Sequence, residues 1–396
     1  MDFLAGKDSL RDFFSRGYKP REEWKVALEY EQFLIRPDQS PLPFLGEDGV
    51  EVLLKRLGET LDWPLVYEGA HVIGLKSKDG REVTLEPGAQ LELGTRPEKN
   101  LLDLEKQLQE FQVVLTQLAH QQGADVLAVG AQPVAKPQDI VRIPKARYDV
   151  LEPWLMEADD LGLWMMRCTC GMQVNFDHQD AGDAARKVRM VYRLSPLFTA
   201  LFANSRWAGG VDTGFASWRG HIWSRTDASR CGIVESLAQP TSNLDDYVEW
   251  MLDVPMLFTA DGEGYLDRRG QSFRKRFADG RATVADWELH LSTPFPEVRL
   301  RPQVELRCAD AGDLPMAMAL AALVKGVFYE EQSLQQAETL VADWSMMDLQ
   351  AAWHRSHRLG LADDELFQRC QGLLDLADLP ADEGAYLAPL RAKLST

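Results

Sequence analysis

Glu29 and Glu31 sit two residues apart in the run Val26-Ala27-Leu28-Glu29-Tyr30-Glu31-Gln32-Phe33. In an extended strand, residues i and i+2 share a face, so both carboxylates point the same way. Two such carboxylates repel unless a cation lies between them. Three other segments repeat the pattern. Gln90 and Glu92 share a face in residues 85–93, with Glu86 just ahead of a Pro-Gly turn. Glu305 and Arg307 share one in residues 304–310. In residues 168–177, Thr169, Gly171, Gln173, Asn175 and Asp177 form one face, and Cys168, Cys170, Met172, Val174 and Phe176 the other. Together the four segments predict a sheet with one apolar face and one face of oxygen ligands. Hard oxygen donors suit Mg²⁺ or Mn²⁺, and metal-bearing sites of this kind handle phosphate. A polar face turned to solvent fits the same pattern, and the residues alone leave both readings open.

The elements that must position these groups follow from periodicity. Residues 1–24 read as a short amphipathic helix and a loop, and 25–35 as a strand. Residues 49–61 have a helical period. Residues 65–93 hold three short strands, with a turn at Lys78-Asp79-Gly80. In 97–121, Leu101, Leu104, Leu108, Phe111 and Leu115 recur at spacings of three and four, which predicts a long helix. Residues 125–130 read as a buried strand, and 163–177 contain another. Residues 180–202 read as two helices broken at Pro196, 243–252 as a helix capped by asparagine, and 300–309 as a strand. Capping-box spacings occur at Thr283 with Asp286, Ser333 with Gln336, and Ser345 with Asp348. The apolar run 315–324 reads as a core helix, being too short to span a bilayer. Irregularly spaced strands first and helices last predict an α+β fold. No linker or repeat divides the chain, which reads as a single catalytic domain over 1–396. Its core spans 25–310, and a helical section, 311–396, packs on the apolar face of the sheet.

Composition narrows the function. The 396 residues carry 43 Lys and Arg against 61 Asp and Glu, a formal charge of −18. That argues against a nucleic-acid surface, which needs a basic face. The charged N-terminus lacks the apolar stretch of a signal peptide, so no membrane partner is expected. Five cysteines in a chain this long point to reduced thiols and a cytoplasmic setting. No P-loop, strand-linked G-x-G-x-x-G, G-x-S-x-G or H-E-x-x-H motif occurs. Cys168 and Cys170 lack a second pair for zinc and read as buried strand residues. His354 and His357 read as surface residues.

The acid-bearing segments also resemble the plant-type glutamate–cysteine ligases, a family shared by plants and many proteobacteria. The likeness runs in order from about residue 26 to about 310. It is carried by LEYEQF (28–33), GLKSKDGREVTLEPGAQLELGT (74–95), PKARYDVL (144–151) and LGLWMMRCTCGMQVNFD (161–177). It continues through LSPLFTALFANS (194–205), GFASWRGHIWSRTDASRCG (214–232), YVEWMLDVPMLF (247–258) and DWELHLSTPFPEVRLRPQVELRCAD (286–310). The resemblance implies a glutamine-synthetase-like fold, with a curved antiparallel sheet forming a cleft for ATP and two or three Mg²⁺ ions, Mn²⁺ being an alternative. It implies that Glu29, Glu31, Glu86, Glu92 and Glu305 bind metal, that Gln173 contacts the metal or nucleotide, and that Arg307 holds the γ-phosphate. It places Asn175, Arg219, Trp287, Gln90 and Arg299 in the substrate pocket. For Trp287 a core anchor, and for Arg219 and Arg299 an ion pair, are the competing readings.

The implied reaction is ATP-dependent joining of cysteine to the γ-carboxyl of glutamate through an acyl phosphate, the first step of glutathione biosynthesis. A lid that excludes water is expected, and Gly209 to Gly214 is a mobile candidate. The chain departs from the family in places. Cys168 stands where an arginine is usual, with Arg167 one position earlier. Ala27 and Ala89 stand where glycine is common, and Glu105 and Arg268 stand where two regulatory cysteines would be. A related ligase with another amine or acid substrate, or an inactive binding homologue, is the alternative. No disulfide switch is expected, so dithiothreitol should leave the rate unchanged. The expected form is a monomer or homodimer.

Overall fold

The computed structural model describes residues 2–262 and 264–395. Its centre is a sheet of nine strands among the described residues: β1 Val26–Ile35, β2 Leu65–Glu68, β3 His71–Lys76, β4 Glu82–Leu85, β5 Leu91–Gly94, β6 Asp125–Leu127, β7 Gly171–Phe176, β8 Val298–Leu300 and β9 Val304–Asp310. The order is β8-β9-β7-β1-β5-β4-β3-β2, with β6 pairing along the end of β1. All the pairings are antiparallel. The segment read as three strands over 65–93 forms four, because Gly69, at φ 58°, closes a tight turn between β2 and β3.

The period of two sorts the faces as expected. Val26, Leu28, Tyr30 and Leu34 of β1, Met172, Val174 and Phe176 of β7, and Val304 and Leu306 of β9 lie in one buried core. Two long helices cover it. Ala181–Phe202 packs along β9, and Leu314–Phe328 packs along β1 and β7. The second is apolar almost all round, as a helix enclosed on every side must be. Met346–Leu359 and Asp364–Asp375 pack on Ala181–Phe202 rather than on the sheet, so the C-terminal section adds a further layer instead of covering the sheet alone.

Three local expectations are corrected. Ala181–Phe202 is one helix, not two, despite Pro196 within it. Proline removes the N–H that would reach the Tyr192 carbonyl. The Ser195 hydroxyl donates to that carbonyl at 2.9 Å and takes over the lost bond. The segment ahead of β7 is a helix, Gly162–Cys168, so Cys168 ends a helix and does not belong to the strand. The box read at Ser333 does not form, because the helix opens at Glu331 and Ser333 is buried within it. The boxes at Thr283 and Ser345 do form.

Candidate active site

Antiparallel register sets the acidic residues side by side on the polar face of the sheet. Glu31 of β1 lies opposite Glu92 of β5, and Glu29 lies opposite Gln173 of β7. Asn175 of β7 lies opposite Glu305 of β9, which lies opposite Arg299 of β8. Glu86 enters from the turn between β4 and β5, braced by a bond from its N–H to the Gln90 carbonyl. Above this floor is a cleft of about 310 Å³, lined among others by Glu29, Glu31, Glu86, Glu92, Gln173, Arg299 and Arg307.

Charge is distributed unevenly across the floor. Glu31 is buried and faces Glu86, which together push its pKa up to about 7, although it accepts from the Gly171 N–H at 2.5 Å and Gln173 Nε2 at 3.0 Å. Burial, and then Glu29, Glu86 and Glu31, push Glu92 well above the ordinary carboxylate range. Burial and Glu305 push Glu29 up, and Asn175 Nδ2 donates to it at 2.8 Å. Glu305 behaves in the opposite way. Burial works against its charge, but Arg299 and Arg307 outweigh that and hold it at about 2. Arg299 grips it with two bonds of 2.8 Å, Nε to Oε2 and Nη2 to Oε1. Arg307 donates through Nη1 to Oε1 of Glu305 and to Oε1 of Gln173, so it joins the cationic wall to the acidic floor.

The structure therefore brings Glu29, Glu31, Glu86 and Glu92 together as carboxylates short of positive charge. Glu305, expected among them, has guanidinium groups on both oxygens and serves as the anchor of the two arginines. Among the described residues no three carboxylates, imidazoles or thiols converge on one point. Mg²⁺ does not need such a cage, since it commonly takes one or two carboxylates and completes its shell with water and phosphate oxygens. Raised proton affinity at Glu29, Glu31 and Glu92, with Glu86 beside them in the cleft, fits divalent cations held between these hard oxygen donors.

Other expected residues fall elsewhere. Trp287 is fully buried, packs against Phe273 with the rings tilted and donates from Nε1 to the Leu10 carbonyl at 3.2 Å, so it anchors the core and does not line the cleft. Gln90 uses all its bonds on backbone: Oε1 accepts from the Gly88 N–H at 2.8 Å, and Nε2 donates to Thr169 O at 2.9 Å and Met166 O at 3.3 Å. It braces the turn behind Glu86. Ala89 completes that turn at φ 65°, the backbone region that favours glycine. Asn175 is taken up by Glu29. Arg219 is buried beside the cleft, with Nη2 donating to the Arg307 carbonyl at 3.1 Å and Nε unpartnered; its guanidinium lies against Gly171 and its charge favours the Glu31 carboxylate, and Trp223 lines the cleft next to it.

The departures from the family are also resolved. Cys168 lies in a small apolar cluster with Ala135 and Ile140. Arg167 does not stand in for the missing arginine, because it forks onto Glu152 at 2.7 and 2.8 Å and reaches the Ile140 carbonyl at 2.8 Å. The proposed lid, Gly209 to Gly214, belongs to a small hairpin docked by Gly209 N–H to Gln132 O and Gly210 N–H to Pro133 O, outside the cleft lining. Of the two histidines read as exposed, His354 is exposed but His357 is buried against Trp353. The five cysteines are unpaired. The sequence reading missed Lys145, Arg147, Tyr148 and Trp223, which line the cleft from loops and short helices. Only the PKARYDVL and SWRGHIW stretches pointed to them.

Comparison with known proteins agrees with the fold. Two solved structures share the architecture: a glutamate–cysteine ligase of Francisella tularensis in complex with AMP (TM-score 0.53, 12% identity, 94% of this chain and 82% of that one) and a bifunctional glutathione synthetase of Pasteurella multocida (0.55, 11%, 97% and 49%). The likeness shows the fold class, mixed helices and an antiparallel sheet, here with a carboxylate floor facing anchored arginines. Within that class, the profile of glutamate–cysteine ligase family 2 matches residues 26–393. Chloroplastic glutamate–cysteine ligases of Medicago truncatula (36% identity over 348 residues, 86% of this chain and 68% of that protein) and of rice, Oryza sativa subsp. japonica, form B (35% over 348 residues, 86% and 69%) are similar along most of their length. The chain belongs to glutamate–cysteine ligase family 2.

Proposed function

We propose that the protein joins the γ-carboxyl of L-glutamate to the amine of L-cysteine with ATP as co-substrate, the reaction that opens glutathione biosynthesis. The observation that carries this reading is the acidic floor facing Arg307 in a chain of this family. In the first step the γ-carboxylate attacks the γ-phosphate and ADP leaves. In the second the cysteine nitrogen attacks the acyl carbon, phosphate leaves, and the amide remains. Both partners of the first step are anions, so repulsion dominates the barrier. Arg307, held in place by Gln173 and Glu305, presents a guanidinium to the charge that develops on the transferred group. Glu29, Glu31, Glu86 and Glu92 would hold Mg²⁺, which supplies charge neutralisation for the phosphates when bound. Met165, Met166 and Leu151 form apolar wall that limits water at the acyl phosphate. Five unpaired cysteines support a reducing, cytoplasmic setting.

The test is ADP release by the purified protein with Mg²⁺, ATP and glutamate, with and without cysteine, with the product identified by mass. Cysteine-dependent turnover giving γ-glutamylcysteine supports the reading. Turnover with other amines and little with cysteine would replace the substrate, and no Mg²⁺-dependent turnover would remove the activity.

A further inference from the structure

Arg307 sits at an irregularity in β9. Leu306 pairs with Val174 of β7 and Ala309 with Met172, so the span from Leu306 to Ala309 matches a shorter span on β7. Such a bulge takes a residue out of the ladder and re-aims its side chain. Other groups then hold the Arg307 backbone. Its N–H donates to the Glu297 carbonyl at 3.0 Å, and its carbonyl accepts from Arg219 Nη2 at 3.1 Å. The aim of the Arg307 guanidinium therefore depends on where Glu297 and Arg219 stand.

The side chains of these two residues meet behind that backbone. Both are buried, and both line a chamber of about 10 Å³ that Trp223, Arg307 and Cys308 also wall. Among the described residues, Arg219 Nε and Trp223 Nε1 are buried without hydrogen-bond partners. The Glu297 carboxylate accepts one bond, from Trp353 Nε1 at 3.0 Å. Burial pushes Glu297 up to about 7, against the pull of the Arg219 charge first, then of the Trp353 bond and the Arg307 charge. The other acids that feel Arg219, Glu31 and Asp310, do not line the chamber. A chamber of this size seats about one water molecule, and buried waters bridge polar groups that lack partners. Two orphaned donors and a carboxylate with acceptor capacity to spare are such groups.

We propose that Glu297 is a positioning residue for the ligase reaction: through one water in this chamber its carboxylate orients Arg219, and so fixes the backbone from which Arg307 reaches the transferred phosphoryl group. The role rests on the ligase reading. The experiment measures kcat and Tm, at mildly alkaline pH, for the wild type, Glu297→Gln, Glu297→Asp and Trp353→Phe, and kcat for Glu297→Gln in an Arg307→Ala background. Glu297→Gln keeps the shape and can still accept from Trp353, but it removes the charge. It should lower kcat about 10- to 100-fold with Tm little changed, the scale for misplacing a group that acts in the transition state. Glu297→Asp keeps the charge and should recover part of the loss. Trp353→Phe removes the bond and keeps the charge, so it should lower Tm and leave kcat close to that of the wild type. In the Arg307→Ala background, Glu297→Gln should change kcat by less than about 2-fold, because residues that act as a unit are not additive. A loss of full size in both backgrounds, or Glu297→Gln with the wild-type kcat, would overturn the proposal and leave the ligase reading standing. So would Glu297→Asp no faster than Glu297→Gln, or Trp353→Phe as slow as Glu297→Gln. A wild type without turnover would overturn the ligase reading and the proposal with it.

Discussion

Arg307 is the residue on which the two halves of the site meet, since it bonds Gln173 on the floor and Glu305 on the wall at once. Arg307→Ala should lower kcat by about 10³-fold, the scale of an arginine that stabilises a transferring phosphoryl group. Thermal unfolding should move little, because Arg299 still neutralises Glu305. Steady-state kinetics beside a melting curve checks this. Glu31 gives a pH prediction. Burial, then Glu86, raises its folded pKa to about 7 from the ordinary 4.5. A raised folded pKa means that the native state holds the proton more tightly than the unfolded chain. The stability it contributes is complete below 4.5 and is lost as pH climbs to about 7. In EDTA, Tm should therefore fall between those pH values, and Glu31→Gln should flatten the fall. Mg²⁺ with nucleotide should also reduce it, since bound cations favour the carboxylates. Trp287 separates core from pocket: Trp287→Ala should destabilise by about 3–5 kcal/mol as a large-to-small core change. In the remaining folded enzyme KM should stay unchanged, and a raised KM at unchanged Tm would return Trp287 to the pocket.

Strands recorded the site in the sequence, and loops concealed it. A period of two puts Glu29 with Glu31, Gln173 with Asn175, and Glu305 with Arg307 on one face of each strand, so the pairs were legible before any pairing was known, while a polar solvent face fitted them as well. Arg147 and Lys145 had no such signal, because the place where a loop and helix start meet the sheet is a tertiary fact. Pro196 misled for a similar reason. Its helix-breaking effect is local, but Ser195 repairs the missing bond and burial against β9 holds the helix together. Alternation predicts a strand position for Cys168, whereas Gly162–Cys168 forms a short helix. The turn at Glu86 offers a test at this scale. Ala89 adopts φ 65°, where an L side chain costs about 1–2 kcal/mol. Ala89→Gly should raise stability by about 1 kcal/mol, measured by denaturant unfolding, and should leave KM unchanged, since the same turn is already formed.

On the scale of the whole molecule, the sheet divides two tasks between its faces. The apolar face is closed by Ala181–Phe202 and Leu314–Phe328, with the remaining C-terminal helices stacked outside them. That rigid backing lets the other face hold several buried carboxylates that would repel each other in a softer frame. The net charge of −18 acquires a local meaning from this arrangement. Part of it is the acidic floor of Glu29, Glu31, Glu86 and Glu92. Among the described residues no helix is long and apolar enough to cross a membrane.

In the proposed reaction ATP activates the glutamate γ-carboxyl before cysteine attacks. Turnover of glutamate labelled with ¹⁸O in the γ-carboxylate tests it most directly. An oxygen that bonds phosphorus in the first step must leave with phosphate in the second. One ¹⁸O in the phosphate for each amide formed is the predicted result; unlabelled phosphate from a protein that makes γ-glutamylcysteine would contradict it.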